Sequence, residues 1–255
     1  MPPKRKRSLS KIKKSQPTRT TWLPTQPPQK IPAHIWFATD YMVPAKCISA
    51  QYQLHGLLGS GSYGRVYEAH NNNAKYVMKV IPLNINIPSE DCDPADPSTW
   101  DDCIPVEELS FLEEAKIAQL MGSLNIGPKI HNSWVCDDVS APILREFAHK
   151  KTIKIGIIVA DKMDITIAAY KQQYPESFRQ NQQKIRELTE ELLRKFFNTG
   201  YIDSDFHDEN LMLNLNPTDY SVNQVKIVDF GEARIDRRFT VDKQLQVIQN
   251  TINSI

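Results

Sequence analysis

Three glycines, Gly59, Gly61 and Gly64, stand inside a run that otherwise reads as β-structure, and their surroundings restrict the fold more than any other part of the chain. The segments QYQLHGLLGSG (51–61), YGRVYEAH (63–70) and KYVMKVI (75–81) are rich in Val, Tyr and Ile and are joined by Gly or Asn turns, NNN at 71–73 among them. Glycine permits a sharp turn and lets a backbone approach a phosphate closely, so GSGSYGRV (59–66) suits a phosphate-covering loop. The same spacing opens a dinucleotide-binding βαβ unit, but there the glycines run into a helix, with an acid about twenty residues on. Here they run into RVYEA, a strand, and no Gly-Lys-Ser/Thr follows to make a Walker loop. A glycine-rich β-hairpin remains, shaped to lie over phosphates; taken alone, such a hairpin is equally well explained without a ligand.

Lys79 sits in the alternating strand YVMKV, where a charged residue needs a partner. The helix expected over 107–122, EELSFLEEAKIAQLMG, offers Glu113 and Glu114. The plainer alternative is a lysine whose stem lies along a strand edge while both glutamates stay in water. Further on, DSDFHDENLML (203–213) sets Asp205 five residues before Asn210, and VKIVDFGEA (225–233) sets Asp229 at the end of a buried-looking strand. Phosphoryl transfer needs such a pair: a carboxylate that takes or orients the nucleophile's proton, and oxygen ligands for Mg²⁺. Asp205 fits the first role, Asn210 and Asp229 the second.

In this order the glycine loop, lysine, glutamate helix, D-x-x-x-x-N and D-F-G make residues 51–235 resemble a eukaryotic-type protein kinase. The resemblance implies an α+β, two-lobed fold, with a β-rich N-lobe over about 51–160 and a short, mainly helical C-lobe over about 164–255. It implies ATP and Mg²⁺ as cofactors. Gly59, Ser60, Gly61, Gly64 and Val66 would cover the nucleotide, and Lys79 would hold the α- and β-phosphates. The family phase, F-x-x-E followed by an apolar pair, favours Glu114 as the lysine's partner, with Glu113 as the fallback. Asp161 to Met163 resemble the hinge around adenine, with Ala160 at the gatekeeper place. Asn210 and Asp229 would hold Mg²⁺, and Asp205 would act on the acceptor hydroxyl.

Three departures accompany the resemblance. Asp203 and Ser204 replace the His and Arg of the family's catalytic loop. That Arg normally clamps a phosphorylated activation loop, so no such switch is expected. His207 stands where Ser/Thr kinases usually carry a γ-phosphate-steadying Lys; it is a third catalytic candidate beside Asp205 and Lys79, or a plain polar loop residue. Only 26 residues follow Asp229, without an A-P-E motif, which implies a truncated C-lobe. Small atypical kinases, such as the RIO kinases and the kinase subunit of the tRNA-threonylcarbamoylation complex, and short kinase-like proteins of large DNA viruses share that economy. The expected activity is a constitutive protein serine/threonine kinase, since the A-A-R of tyrosine kinases is missing. The alternatives are an ATPase or a nucleotide-binding, pseudokinase-type subunit of a larger assembly, or a small-molecule kinase.

The rest of the chain is read from composition. Residues 1–30 hold nine Lys or Arg and no acid, too polar to offset their ordering entropy, and are expected to be a disordered tail. KRKR (4–7) and KIKK (11–14) match a nuclear-localisation pattern, with nucleic acid or an import receptor as the partner. The expected location is nuclear or cytoplasmic, in a host cell if the protein is viral. Residues 31–50 are apolar enough to pack on the kinase-like domain, taken as 51–255. The segment 84–106, with six acids and four prolines, reads as a surface insertion. Ile185, Leu188, Leu192 and Phe196 make a helical stripe over 176–199, and a shortened C-lobe would leave apolar surface for a protein partner beside the protein substrate. Cys47, Cys92, Cys103 and Cys136 form no C-x-x-C pair, so zinc is not expected and free thiols in a reducing compartment are. No run is apolar and long enough to span a membrane, and the net charge of +1 gives the whole chain no bias toward polyanions.

Overall fold

The glycine-rich run folds back on itself as a hairpin. The structure, a computed structural model, describes residues 47–61, 64–72, 74–83, 85–87, 104–137, 154–203, 205–236 and 238–255. Strand β1 (Gln53–Gly61) pairs antiparallel with β2 (Gly64–Asn71), and β2 with β3 (Ala74–Leu83). The β2–β3 turn holds Asn72 at φ 48°, a conformation that asparagine tolerates better than most residues. Next come a short ladder of β4 (Ile85–Ile87) with β5 (Ile104–Val106), helix α1 (Glu108–Ser123), β6 (Ile130–Cys136) and β7 (Lys154–Asp161). The main sheet is five-stranded and antiparallel, in the order β1-β2-β3-β7-β6.

Alternation along β3 divides the two faces of this sheet. Met78 and Val80 are buried with Ala69, Ile155, Ile157 and Val159, under Tyr52 and Cys47. Ile81 and Leu83 pack on the other face with Ile158, and with Phe111 and Ala115 of α1. The helix comes so close that a Cβ on Gly156 would lie 2.5 Å from the Phe111 ring. Lys79, between Met78 and Val80, emerges on the face that α1 covers.

On the opposite face, Cys47 and Cys136 form a disulfide with Cα atoms 5.4 Å apart. Trp134 Nε1 donates to the Cys47 carbonyl at 2.9 Å, and Tyr52 stacks on Trp134. Free thiols were expected, and for this pair the expectation is overturned: the segment before β1 packs across the sheet onto the end of β6, an approach hidden by 89 residues of separation. Of the packed extension expected at 31–50, residues 47–50 are described, and Cys47 is 2% exposed. The basic tail, Cys92 and Cys103 lie outside the described residues. The segment expected as an insertion, 84–106, begins and ends in short strands, Ile85–Ile87 and Ile104–Val106, which pair antiparallel.

The remainder is built on a second, larger core. Strand β8 (Ile165–Thr166) runs into α2 (Ile167–Gln173), whose first turn is capped by Thr166 Oγ1 accepting from the Ala169 N–H at 3.1 Å. Helix α3 (Pro175–Phe197) begins with Pro175 in its first turn and buries Phe178, Ile185, Leu192, Leu193, Phe196 and Phe197. Strands β9 (Tyr201–Ile202) and β10 (Leu211–Leu215), β11 (Val222–Ile227), β12 (Arg234–Ile235) and α4 (Val241–Ser254) complete it. β10 pairs with β11 and β8, and β9 pairs with β12. Ile117, Ala118 and Met121 of α1 belong to this core, so one helix serves both. The described part is therefore a mixed α+β structure with four helices among the described residues. None of these helices is long and apolar enough to cross a membrane.

Candidate functional site

Three distant segments meet at Lys79. Its Nζ donates to Glu114 Oε1 at 2.6 Å and to Asp229 Oδ2 at 3.2 Å, partners 35 and 150 residues away. Glu114 reaches it because Phe111 and Ala115 seat α1 on the sheet and Glu114, three residues beyond Phe111, flanks that contact. Glu113 points to solvent. Burial works against the Lys79 charge, but Glu114 and then Asp229 outweigh it and hold the ammonium well above its ordinary pKa. The lysine therefore stays charged at any physiological pH.

Asn210 and Asp229 come together through a hairpin. Leu211 pairs with Ile227, and one step outward the Val228 N–H donates to the Asn210 carbonyl at 3.1 Å, which brings Asp229 alongside. Asp229 Oδ1 accepts from the Gly231 N–H at 3.1 Å. The Asn210 side-chain amide donates to Asp205 Oδ2 at 2.9 Å and to the Asp205 carbonyl at 3.1 Å, which commits its nitrogen and leaves its oxygen as the ligand atom. His207 Nδ1 accepts from the Glu209 N–H at 3.2 Å, so in the neutral ring the proton is on Nε2, 3.5 Å from Asp205 Oδ1. Among the described residues, no set of three or more His, Cys, Asp or Glu is close enough to hold a metal by itself. The Asn210 amide and Asp229 carboxylate are nonetheless the hard oxygen donors that Mg²⁺ takes, one or two at a time, beside phosphate oxygens and water.

The glycine hairpin lies beside these residues. Gly59 pairs with Val66 and Val66 with Lys79, one row across three strands, and Gly61 pairs with Gly64 at the hairpin end, with Ser60 between. A Cβ on Gly59 would meet nothing within 4 Å, so this side is open to a ligand. Gly64 differs: a Cβ there would lie 2.3 Å from the Val80 carbonyl, so close strand packing alone requires glycine.

At the far end of β7, the Asp161 N–H donates to the Lys129 carbonyl at 2.9 Å and its carboxylate contacts His131 Nε2 at 2.6 Å. Met163 is buried. Lys162 pairs with Glu68 of β2, whose second oxygen is 2.7 Å from His70 Nε2. Hydrogen bonds from Lys162 and then His70 hold the Glu68 carboxyl at about 2, below its ordinary 4.5. Neither pair was read from the sequence, because 30 and 94 residues separate the partners.

Asp203 was noted only as a replacement for a family His. It is 3% exposed, and its Oδ1 accepts the Asp205 N–H at 2.8 Å. Burial pushes its carboxyl up to about 6; the Asp205 hydrogen bond opposes this, and the charges of Asp205, Asp229 and Glu232 reinforce it. The sequence carried one signal, the D-x-D spacing of an Asx turn. Compared with protein-family models and with curated proteins, the chain matches none.

Proposed function

We propose that this protein is an ATP- and Mg²⁺-dependent phosphotransferase with a two-lobed kinase-like fold, acting on Ser or Thr hydroxyls of a protein. The observation that carries this reading is Lys79 held at once by Glu114 and Asp229, with Asn210 and Asp205 on the adjoining loop. Charged and oriented by Glu114, Lys79 draws in the α- and β-phosphates. Gly59 presents backbone where a side chain would obstruct the nucleotide, and Val66 supplies an apolar neighbour on the same row. Asp161 and Met163 flank the base. Mg²⁺ held by Asn210 and Asp229 would neutralise phosphate charge. The Asp205 carboxylate orients the acceptor hydroxyl and takes its proton as the O–P bond forms and the bond to the leaving diphosphate breaks. His207 Nε2–H can donate to a phosphate oxygen or to Asp205.

A second reading, an ATPase subunit of a larger assembly, has support from Ile235 and Val241, which are 64% and 67% exposed and would suit a partner. One experiment separates the two. Purified protein is incubated with Mg-[γ-³²P]ATP, alone and with a generic basic protein, beside Lys79→Ala and Asp229→Ala. Label on protein that disappears in both variants is the expected result. Free phosphate without labelled protein selects the ATPase subunit, and nucleotide binding without turnover defeats both readings.

A further inference from the structure

Asp203 is the buried acid that the roles above leave unused. Among the described residues it is the only Asp or Glu buried to this degree, at 3% exposure. No Lys, Arg or His stands within ion-pair distance of it among those residues, and the groups that face it electrostatically are Asp205, Asp229 and Glu232, all acids. A carboxyl group in such surroundings is unfavourable unless it is hydrogen-bonded. The bond it makes, from the Asp205 N–H to Oδ1 at 2.8 Å, is to the residue whose carboxylate faces the acceptor.

The placement of Asp203 is set by its neighbour in the chain. It directly follows Ile202, which pairs with Arg234 across β9–β12, so the ladder fixes its backbone. From there a chain of hydrogen bonds runs outward: Asp203 Oδ1 holds the Asp205 backbone, and the Asp205 carboxylate accepts from the Asn210 amide at 2.9 Å. Without its first link, the Asp205 N–H would lose its anchor, and the carboxylate, with only Asn210 holding it and the Asp205 carbonyl, would lose its aim. We infer that Asp203 is a positioning residue for phosphoryl transfer: its carboxyl oxygen anchors the Asp205 backbone N–H and so sets the direction of the Asp205 carboxylate. This rests on the phosphotransfer reading above.

The test compares wild type, Asp203→Asn and Asp203→Ala in the full chain. Asn keeps an acceptor oxygen in the same place, whereas Ala removes it. Two quantities are measured: kcat and KM for Mg-ATP with the basic acceptor protein, and hydrogen exchange of the Asp205 amide by NMR. In Asp203→Ala, kcat falls about 30-fold with KM for Mg-ATP within about twofold, because Lys79, Glu114 and Asp229 are untouched. In Asp203→Asn, kcat stays within about threefold of wild type, which a purely electrostatic role would not predict. The Asp205 amide exchanges faster in the Ala variant only. If the Ala variant does not fold, Asp203→Leu fills the same space without an acceptor and is expected to behave as Ala. Equal kcat in all variants, an Asn variant as slow as Ala, or unchanged amide protection overturns the inference. A wild type that transfers no phosphate defeats the phosphotransfer reading and with it any positioning for transfer. The exchange comparison then decides separately whether Asp203 anchors this loop.

Discussion

Neighbouring residues of β3 serve opposite faces, and the two faces obey different physics. Met78 and Val80 seal an apolar layer that also holds the Cys47–Cys136 disulfide. Lys79, between them, carries its charge to the other face and finds Glu114 and Asp229 there. The back face contributes stability through the burial of apolar side chains. The front face sets an ammonium between two carboxylates, the arrangement on which the proposed chemistry rests. A change on one face should therefore leave the other's observable nearly untouched, and each prediction below tests that separation.

The largest effect is expected on the front face. Lys79→Ala or Asp229→Ala should lower phosphotransfer by about 10³-fold or more, roughly 4 kcal/mol of transition-state stabilisation, while thermal unfolding moves by only a few degrees. A melting temperature that collapses with the activity would break the comparison. Next comes the back face: reducing the Cys47–Cys136 bond opens a loop closed across a sequence separation of 89 and should cost roughly 4 kcal/mol in the chain-entropy account. Calorimetry with and without reductant reads it, and the Mg-ATP dissociation constant, measured below the reduced melting temperature, should not move. Met78→Ala, at a site with 0% exposure, should cost about 3 kcal/mol by denaturant titration with KM unchanged.

The pH dependence sharpens the same contrast. Asp203 has a folded value of about 6 against 3.8, so the fold favours its protonated form. Its contribution is fully present below pH 4 and is lost as pH rises through 6, a swing of roughly 3 kcal/mol at most. Stability of wild type relative to Asp203→Asn should accordingly improve on acidification from pH 7 to 4, whereas Met78→Ala should show a pH-independent offset. Glu68 runs the other way, since its carboxyl lies at about 2 instead of 4.5. Its contribution is present above pH 4.5 and fades as pH falls toward 2, a smaller effect because its partners are partly exposed.

The parts of this arrangement visible in the sequence are those set by local pattern. The stripe at Ile185, Leu192 and Phe196 marked α3, and the glycines with Val and Tyr neighbours marked the β1–β2 hairpin. The pairing of Lys79 with Glu114 rather than Glu113 was expected from the resemblance to kinases, and the structure brings those two residues together. What escaped depends on contacts between distant segments. The β4–β5 ladder is three residues long on each side and borders an acidic, proline-bearing stretch that reads as loop. Helix α2, seven residues directly after a two-residue strand, is too short to show a period. Asp203 looks like any acid in an acidic loop, since neither its burial nor the two-residue pairing of β9 with β12 beside it has a local pattern.

The disulfide also has a topological consequence. Residues 47 to 136 form a closed covalent ring, and Lys79 and Glu114 both lie on it, separated by the segment 88–103. A protease that cuts once within that segment would linearise the ring without dividing the molecule. The nicked chain would run as one species on a non-reducing gel and as two after reduction. Until then, the fragment bearing Lys79 would stay tethered to the one bearing Glu114 and Asp229.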